Sequence, residues 1–243
     1  MKVSICMTYF NRLELLKNTL MSIYSHDVKP YEIIIIDDGS DTRLTFDDIP
    51  LSDVNIKLLS FYKSKKTWVN PCIAYNQALS MVDGDIIIIQ NSECIHYTNI
   101  VKHAIDNIKE NDYFSYSCYS ANQEETTNKK YNFEQRIVAY DGDSGWYNHS
   151  VFRPIKYHFC SAMMTSDYVK HDLKFNEAFK NGIGYDDDGF VWLIENKKMS
   201  IGIIDSEICI HQFHYANNLN SNRDRLIEIN RNIFSRLING EIL

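Results

Sequence analysis

Carboxylates set directly after apolar runs are the residues of this chain best placed to do chemistry. The stretch Asp85-Ile86-Ile87-Ile88-Ile89-Gln90-Asn91-Ser92-Glu93-Cys94-Ile95-His96 carries four consecutive isoleucines and then turns polar. A strand with no alternation is buried on both faces, as in the middle of a parallel sheet covered by helices. Ligands of open α/β sheets collect just beyond the carboxyl ends of the strands, so Glu93 stands where a metal or a charged ligand is held. A second run, Ile33-Ile34-Ile35-Ile36, delivers Asp37 and Asp38 in the same way. One such strand reads equally well as a buried strand ending in a solvated turn. Two of them point to a site.

Asp37 and Asp38 could accept hydrogen bonds from a base N–H or a ribose hydroxyl, or could simply form a solvated βα turn. The turn after the first strand is Met7-Thr8-Tyr9-Phe10-Asn11, without the glycines of a dinucleotide fingerprint, which argues against a nicotinamide or flavin cofactor. No phosphate-binding P-loop occurs either. His211 and His214 close the segment Cys-Ile-His-Gln-Phe-His. A carboxylate and an imidazole can share a divalent ion, and Mn²⁺ accepts both ligand types. An isolated HxxH is weak evidence, and without HExxH a zinc hydrolase has little support. Asp186-Asp187-Asp188 places three acids in a row, which raise one another's pKa and suit a general base. An exposed acidic helix N-terminus is the commoner explanation of such a run. Its position before Phe190-Val191-Trp192 turns at least one acid inward.

Periodicity supplies the elements that position these groups. Residues 2–7 read as the first strand, and Leu13, Leu16, Leu20 and Ile23 form a core-facing helical stripe over 13–24. Residues 31–36 are the second strand, followed by Gly39, free to take a left-handed turn. This is a βαβ unit with a right-handed crossover. A short strand over 56–60, a basic loop over 63–70, a helix started by Pro71 and a helix over 98–109 complete residues 1–110. These are three or four βα units, a nucleotide-binding type of half. Beyond residue 113 the texture changes. Strands are expected over 114–119, 159–165, 201–204 and 208–210, with polar loops over 120–130, 141–150 and 181–188. Ser166 is expected to cap a short helix over 167–171, and another helix starts over 190–195. Residues 111–215 form the second half, and a C-terminal helix lies in 216–243. No repeat or linker divides this single domain.

At 243 residues the chain buries roughly 70–75% of its unfolded surface and needs no disulfide or metal to fold. A charge of −7 without a long basic run argues against nucleic-acid binding by a basic surface. The six cysteines (6, 72, 94, 118, 160 and 209) contain no CxxC pair, which suits buried free thiols in a reducing, cytoplasmic compartment and speaks against structural zinc. No signal-peptide pattern opens the chain, and no apolar run reaches the ~18 residues of a membrane span.

Val3-Ser4-Ile5-Cys6-Met7-Thr8-Tyr9-Phe10-Asn11-Arg12, followed by Glu32-Ile33-Ile34-Ile35-Ile36-Asp37-Asp38-Gly39-Ser40, resembles the opening of family 2 glycosyltransferases of the GT-A fold. Ala74-Tyr75-Asn76-Gln77-Ala78-Leu79 before Asp83-Gly84-Asp85 continues the likeness. Gly182-Ile183-Gly184-Tyr185-Asp186-Asp187 is similar to the family's Gly-x-Gly-x-Glu-Asp element. The resemblance covers about residues 2–215.

It implies an α/β fold, a Rossmann-like, mostly parallel sheet flanked by helices with a small acceptor-side subregion. It also implies inverting transfer of a sugar from a nucleoside-diphosphate sugar, a UDP-sugar foremost, to a glycan, glycolipid or protein acceptor. On that pattern Thr8 and Phe10 cradle the base and Asp38 binds base or ribose, with Asn11, Asp37, Asn70, Asn91 and Ser92 completing the nucleotide set. The family's Asp-x-Asp is replaced by Gln90-Asn91-Ser92-Glu93, so Glu93 matches the acid that holds Mn²⁺ or Mg²⁺. His211, chosen ahead of His214, matches the metal-coordinating histidine. Asp187 is the implied base, with Asp186 at the Glu position, and Lys63, Lys65 and Lys66 face the phosphates. Trp146, Tyr147 and His158 suit a sugar and acceptor pocket, although core packing accounts for them equally well. The missing first acid keeps a catalytically inactive nucleotide-sugar binding module in view. A metal-dependent nucleotidyltransferase is a further alternative.

Overall fold

The computed structural model describes residues 1–131, 149–151, 160–215 and 222–241. Eight strands form one sheet in the order β3-β2-β1-β4-β7-β6-β8-β5. The first four, β1 (Val3–Tyr9), β2 (Glu32–Asp37), β3 (Asn55–Ser60) and β4 (Ile86–Asn91), are mutually parallel. β5 (Cys94–His96), β6 (Asp112–Ser120), β7 (Cys160–Met164) and β8 (Ser200–His211) extend it. β7 runs antiparallel to β4 and β6, β5 antiparallel to β8, and β6 pairs in parallel with β8.

The isoleucine runs are buried on both faces. Ile33, Ile35, Ile86 and Ile88 face one core with α1 (Leu13–Tyr24) and α3 (Ile100–Asn107). Ile34, Ile36, Ile87 and Ile89 face the other with α2 (Cys72–Leu79) and α6 (Asp186–Asn196). Each fully buried isoleucine is worth roughly 1.5–3 kcal/mol relative to exposure, which fixes register because a one-residue slip would exchange the faces. Gly39 takes φ +78°, the left-handed turn expected at the end of β2.

The second half departs from expectation in four places. Residues 120–130, expected as loop, contain α4 (Gln123–Asn128), closed by a capping box between Asn122 and Glu125. Ser166 lies inside α5 (Thr165–His171) rather than capping it; Met164 precedes the helix without a side-chain cap. α6 starts at Asp186, within the loop expected over 181–188. The two strands expected over 201–204 and 208–210 are one strand, β8, whose pairing with β6 shifts between Tyr116 and Ser117. α7 (Arg223–Ile238) is the C-terminal helix. Among the described residues no helix is long and apolar enough to cross a membrane.

Candidate active site

The carboxyl ends of β1, β2 and β4 open onto a cavity of about 530 Å³, within the size range of ligand clefts. Asp38, Glu93 and Asp187 all line it, although they are far apart in sequence.

Asp38 is nearly buried. Its carboxylate accepts from Lys66 Nζ at 2.6 Å and from the Trp68 indole N–H at 2.8 Å. Burial pushes the Asp38 carboxyl upward, and the Lys66 charge opposes it. The Lys66 ammonium also lies 4.7 Å from the centroid of the Phe10 ring. Thr8, Phe10, Lys63 and Trp68 join the lining, giving aromatic faces beside the Asp38–Lys66 pair, while the Lys63 ammonium pairs with Asp41.

Asp37 and Asn11 do different work. Both Asp37 oxygens accept backbone N–H groups, from Ser40 at 2.9 Å and Leu44 at 2.9 Å, so this acid folds its own loop. Asn11 bonds the backbone and side chain of Asp41, tying the β1 loop to the β2 loop. Neither lines the cavity. In this structure both side chains hold the β1 and β2 loops that frame the cavity.

Glu93 also lines the cavity. It follows β4, and its carbonyl is gripped by the backbone and side-chain N–H groups of Gln212, each at 3.1 Å. Its Oε1 lies 2.7 Å from Arg12 Nη1, 3.3 Å from His214 Nε2 and 3.7 Å from His211 Nε2, while Oε2 accepts from Ser92 Oγ at 3.0 Å. Burial alone would raise the Glu93 carboxyl. The His214 hydrogen bond and the Arg12 charge outweigh it and hold the group well below the usual carboxylate range. Burial pushes the His211 imidazole down to about 4, leaving it a neutral ring with a lone pair. One oxygen and two nitrogens, all within 4.8 Å of one another, make a donor set that suits Mn²⁺. His214, passed over in favour of His211, stands closer to Glu93 than His211 does.

Asp186 and Asp187, in the first turn of α6, line the cavity as well. Asp186 is buried and accepts from Asn70 Nδ2 at 2.7 Å. Asn70 thus orients an acid that lines the cavity. Burial, with the charges of Asp186 and Asp188 added, raises Asp187 well above an ordinary aspartate. Tyr185 holds the preceding backbone at φ +65°, a conformation costly for a residue with a Cβ. α7 braces it: Asn230 donates to the Gly184 carbonyl at 2.7 Å and Arg231 to the Tyr185 hydroxyl at 3.2 Å. Beneath, Tyr75, Phe175 and Phe190 stack at centroid distances of 4.8 and 4.4 Å, joining α2 to α6. The Tyr75 hydroxyl donates to Asn91 Oδ1 at 2.9 Å, which fixes Asn91 on the cavity wall.

Sequence reading passes over Arg12, Trp68 and the bracing residues of α7. Arg12 directly follows the first strand's polar turn, but nothing in its spacing reveals its partner. Trp146, Tyr147 and His158 lie outside the described residues.

A family model, glycosyl transferase family 2, matches residues 4–168. An uncharacterized glycosyltransferase of Rickettsia felis is 25% identical over 209 residues, which are 85% of this chain and 32% of the relative. Bacillus subtilis YwdF, also an uncharacterized glycosyltransferase, is 22% identical over 59% of this chain and 52% of its own length. Among solved structures, S. aureus TarS aligns with a TM-score of 0.62 at 18% identity, over 98% of this chain and 40% of TarS. TarS 1–349 in complex with UDP-GlcNAc gives 0.62 at 15% identity, over 91% of this chain and 61% of that one. GalNAc-T7 with UDP, GalNAc and Mn²⁺ gives 0.61 at 11% identity, over 90% and 44%. These likenesses show the α/β GT-A fold. The family match spans more than half of the sequence, and on that ground the chain belongs to glycosyl transferase family 2.

Proposed function

We propose that this chain is an inverting glycosyltransferase that moves a sugar from a UDP-sugar to a hydroxyl acceptor, with Asp187 as general base. What carries the reading is the convergence of Asp38, Glu93 and Asp187 on one cavity. Support for the donor class comes from TarS, crystallised with UDP-GlcNAc and with UDP, and from GalNAc-T7 with UDP.

The base and ribose fit the end where Phe10 and Trp68 offer ring faces and Asp38 an acceptor. The ammonium groups of Lys63 and Lys66 meet the diphosphate. Asp187 takes the proton of the attacking hydroxyl as that oxygen closes on the anomeric carbon, and the nucleoside diphosphate departs on the opposite side. General-base assistance of this kind is worth ~10²–10⁴-fold. A pKa raised by burial and by two neighbouring acids makes Asp187 a stronger base than a solvated carboxylate, provided it is ionised. Asp186, held by Asn70, keeps the first turn of α6 in place.

Glu93, His211 and His214 would hold a divalent cation such as Mn²⁺ or Mg²⁺. When bound, the cation supplies positive charge to the leaving diphosphate. The Arg12 guanidinium on Glu93 favours a second reading, a nucleotide-sugar binding module in which arginine stands where a cation would.

Calorimetric titration with UDP and UDP-sugars, with and without Mn²⁺, followed by assay of UDP release, tests both. The transferase reading expects UDP binding and UDP release that stops in EDTA. Binding without any release from a panel of UDP-sugars and acceptors supports the module, and no binding of UDP overturns both readings.

A further inference from the structure

The topology assembles sulfur where the sequence spacing hides it. Cys94 on β5, Cys118 on β6 and Cys209 on β8 are completely buried, and their three sulfurs lie within 4.8 Å of one another. Cys118 and Cys209 are direct partners in the β6–β8 register. Cys94 pairs with His211, two residues beyond Cys209, and so shares the same sheet face. Cys160, from β7, is a fourth buried thiol in the same core. Three of the six cysteines, from three different strands, therefore meet at one point, and Cys160 lies in the same core between the sheet and α3. The other two, Cys6 and Cys72, face the opposite core.

Apolar packing alone gives no reason to gather sulfur in this way, since a buried thiol serves as a small hydrophobe anywhere in a core. Convergent sulfurs are what a soft cation requires. Tetrahedral zinc with Zn–S bonds of ~2.3 Å sets its sulfurs ~3.8 Å apart. Small side-chain rotations bring sulfurs bounded by 4.8 Å to that spacing. We propose that Cys94, Cys118 and Cys209, with Cys160 as fourth donor, form a structural site for a thiophilic cation of the Zn²⁺ class that cross-links β5 to β8. Each thiol that binds gives its proton to solvent, so loading releases protons and is completed as the chain folds. The site is chemically distinct from Glu93, His211 and His214, whose oxygen and nitrogen donors suit a harder ion.

The test is to unfold the full chain in denaturant with reductant and chelator, remove the chelator, and refold in Co²⁺. One equivalent of Co²⁺ should be retained with an intense sulfur-to-cobalt charge-transfer band, which the Glu93 site cannot produce. Zn²⁺ should displace it, and the Tm should rise by several degrees over the metal-free protein. Cys118→Ser and Cys209→Ser should abolish the band, whereas Cys6→Ser should keep it. A wild-type chain that refolds with native circular dichroism but shows no band and no retained metal overturns the proposal. So does a band that survives both cluster substitutions. Because the wild-type measurement decides by itself, a variant that fails to fold does not weaken the test.

Discussion

The half of the sheet from β1 to β4 and the half from β5 to β8 are assembled from different materials and serve the cavity differently. In the first, parallel isoleucine strands pair without a register shift, and each strand end carries its own polar loop to the same edge. Asp38 is delivered by β2 and meets Lys66 and Trp68, residues of the loop that follows the neighbouring strand β3. In the second, antiparallel pairs and a register shift mix serine, tyrosine and cysteine among the aliphatics. The other acids of the cavity draw on this half and work through distant partners: Glu93, in the turn between β4 and β5, with His211 and His214, and Asp186 with Asn70. A nucleotide end can thus be built from local order, while the reacting end depends on long-range packing.

The largest expected effect separates the two ends directly. Asp187→Asn should lower kcat by ~10²–10⁴-fold while leaving the Kd for UDP within a few-fold, because it removes a base and not a binding group. Asp38→Asn should do the reverse. Loss of one charge-assisted hydrogen bond predicts a Kd for UDP weaker by about tenfold, with kcat at saturating donor little changed. Paired calorimetry and saturation kinetics on the two variants check the division. If Asp187→Asn weakens UDP binding as much as Asp38→Asn does, the cavity does not divide as described.

The same contrast governs what could be read in advance. The parallel half was legible because an unbroken isoleucine run has few ways to be buried, and because Asp37-Asp38-Gly39 must turn where the strand ends. Within it, side-chain direction was not legible. Asp37 and Asp38 are adjacent and chemically alike, yet one folds a loop and the other lines the cavity, since alternation along a strand sends neighbours to different sides. The second half hid its order because its partners are set by tertiary contact. Nothing near Gly184 or Tyr185 in sequence announces that Asn230 and Arg231 will brace them. The cysteines illustrate this most sharply, scattered in sequence yet gathered by strand order.

Arg12 rises from the β1 loop to meet Glu93 after β4, beside the histidines that β8 supplies. A cation taken up by Glu93, His211 and His214 has to displace or share that contact. Arg12→Gln should therefore tighten Mn²⁺ binding by about tenfold, or ~1.4 kcal/mol, read by calorimetry without nucleotide. Weaker Mn²⁺ binding in this variant would show that Arg12 organises the site rather than competing within it.

The smallest expected effect concerns the acid run. Burial is the main cause of the raised Asp187 pKa, with Asp186 and then Asp188 adding negative charge nearby. Only the ionised base is active, so the acid limb of kcat/KM against pH should fall at a pH above the ordinary aspartate range. Activity is present above that limb and lost as pH falls through it. Asp188→Asn removes one repelling charge, makes ionisation of Asp187 easier, and should move the limb to lower pH by less than about one unit. The shift should shrink with added salt only as far as solvent reaches Asp188, because screening acts weakly on buried pairs. A limb that moves to higher pH, or stays fixed while Asp187→Asn is inactive, would mean that the titrating group is not Asp187.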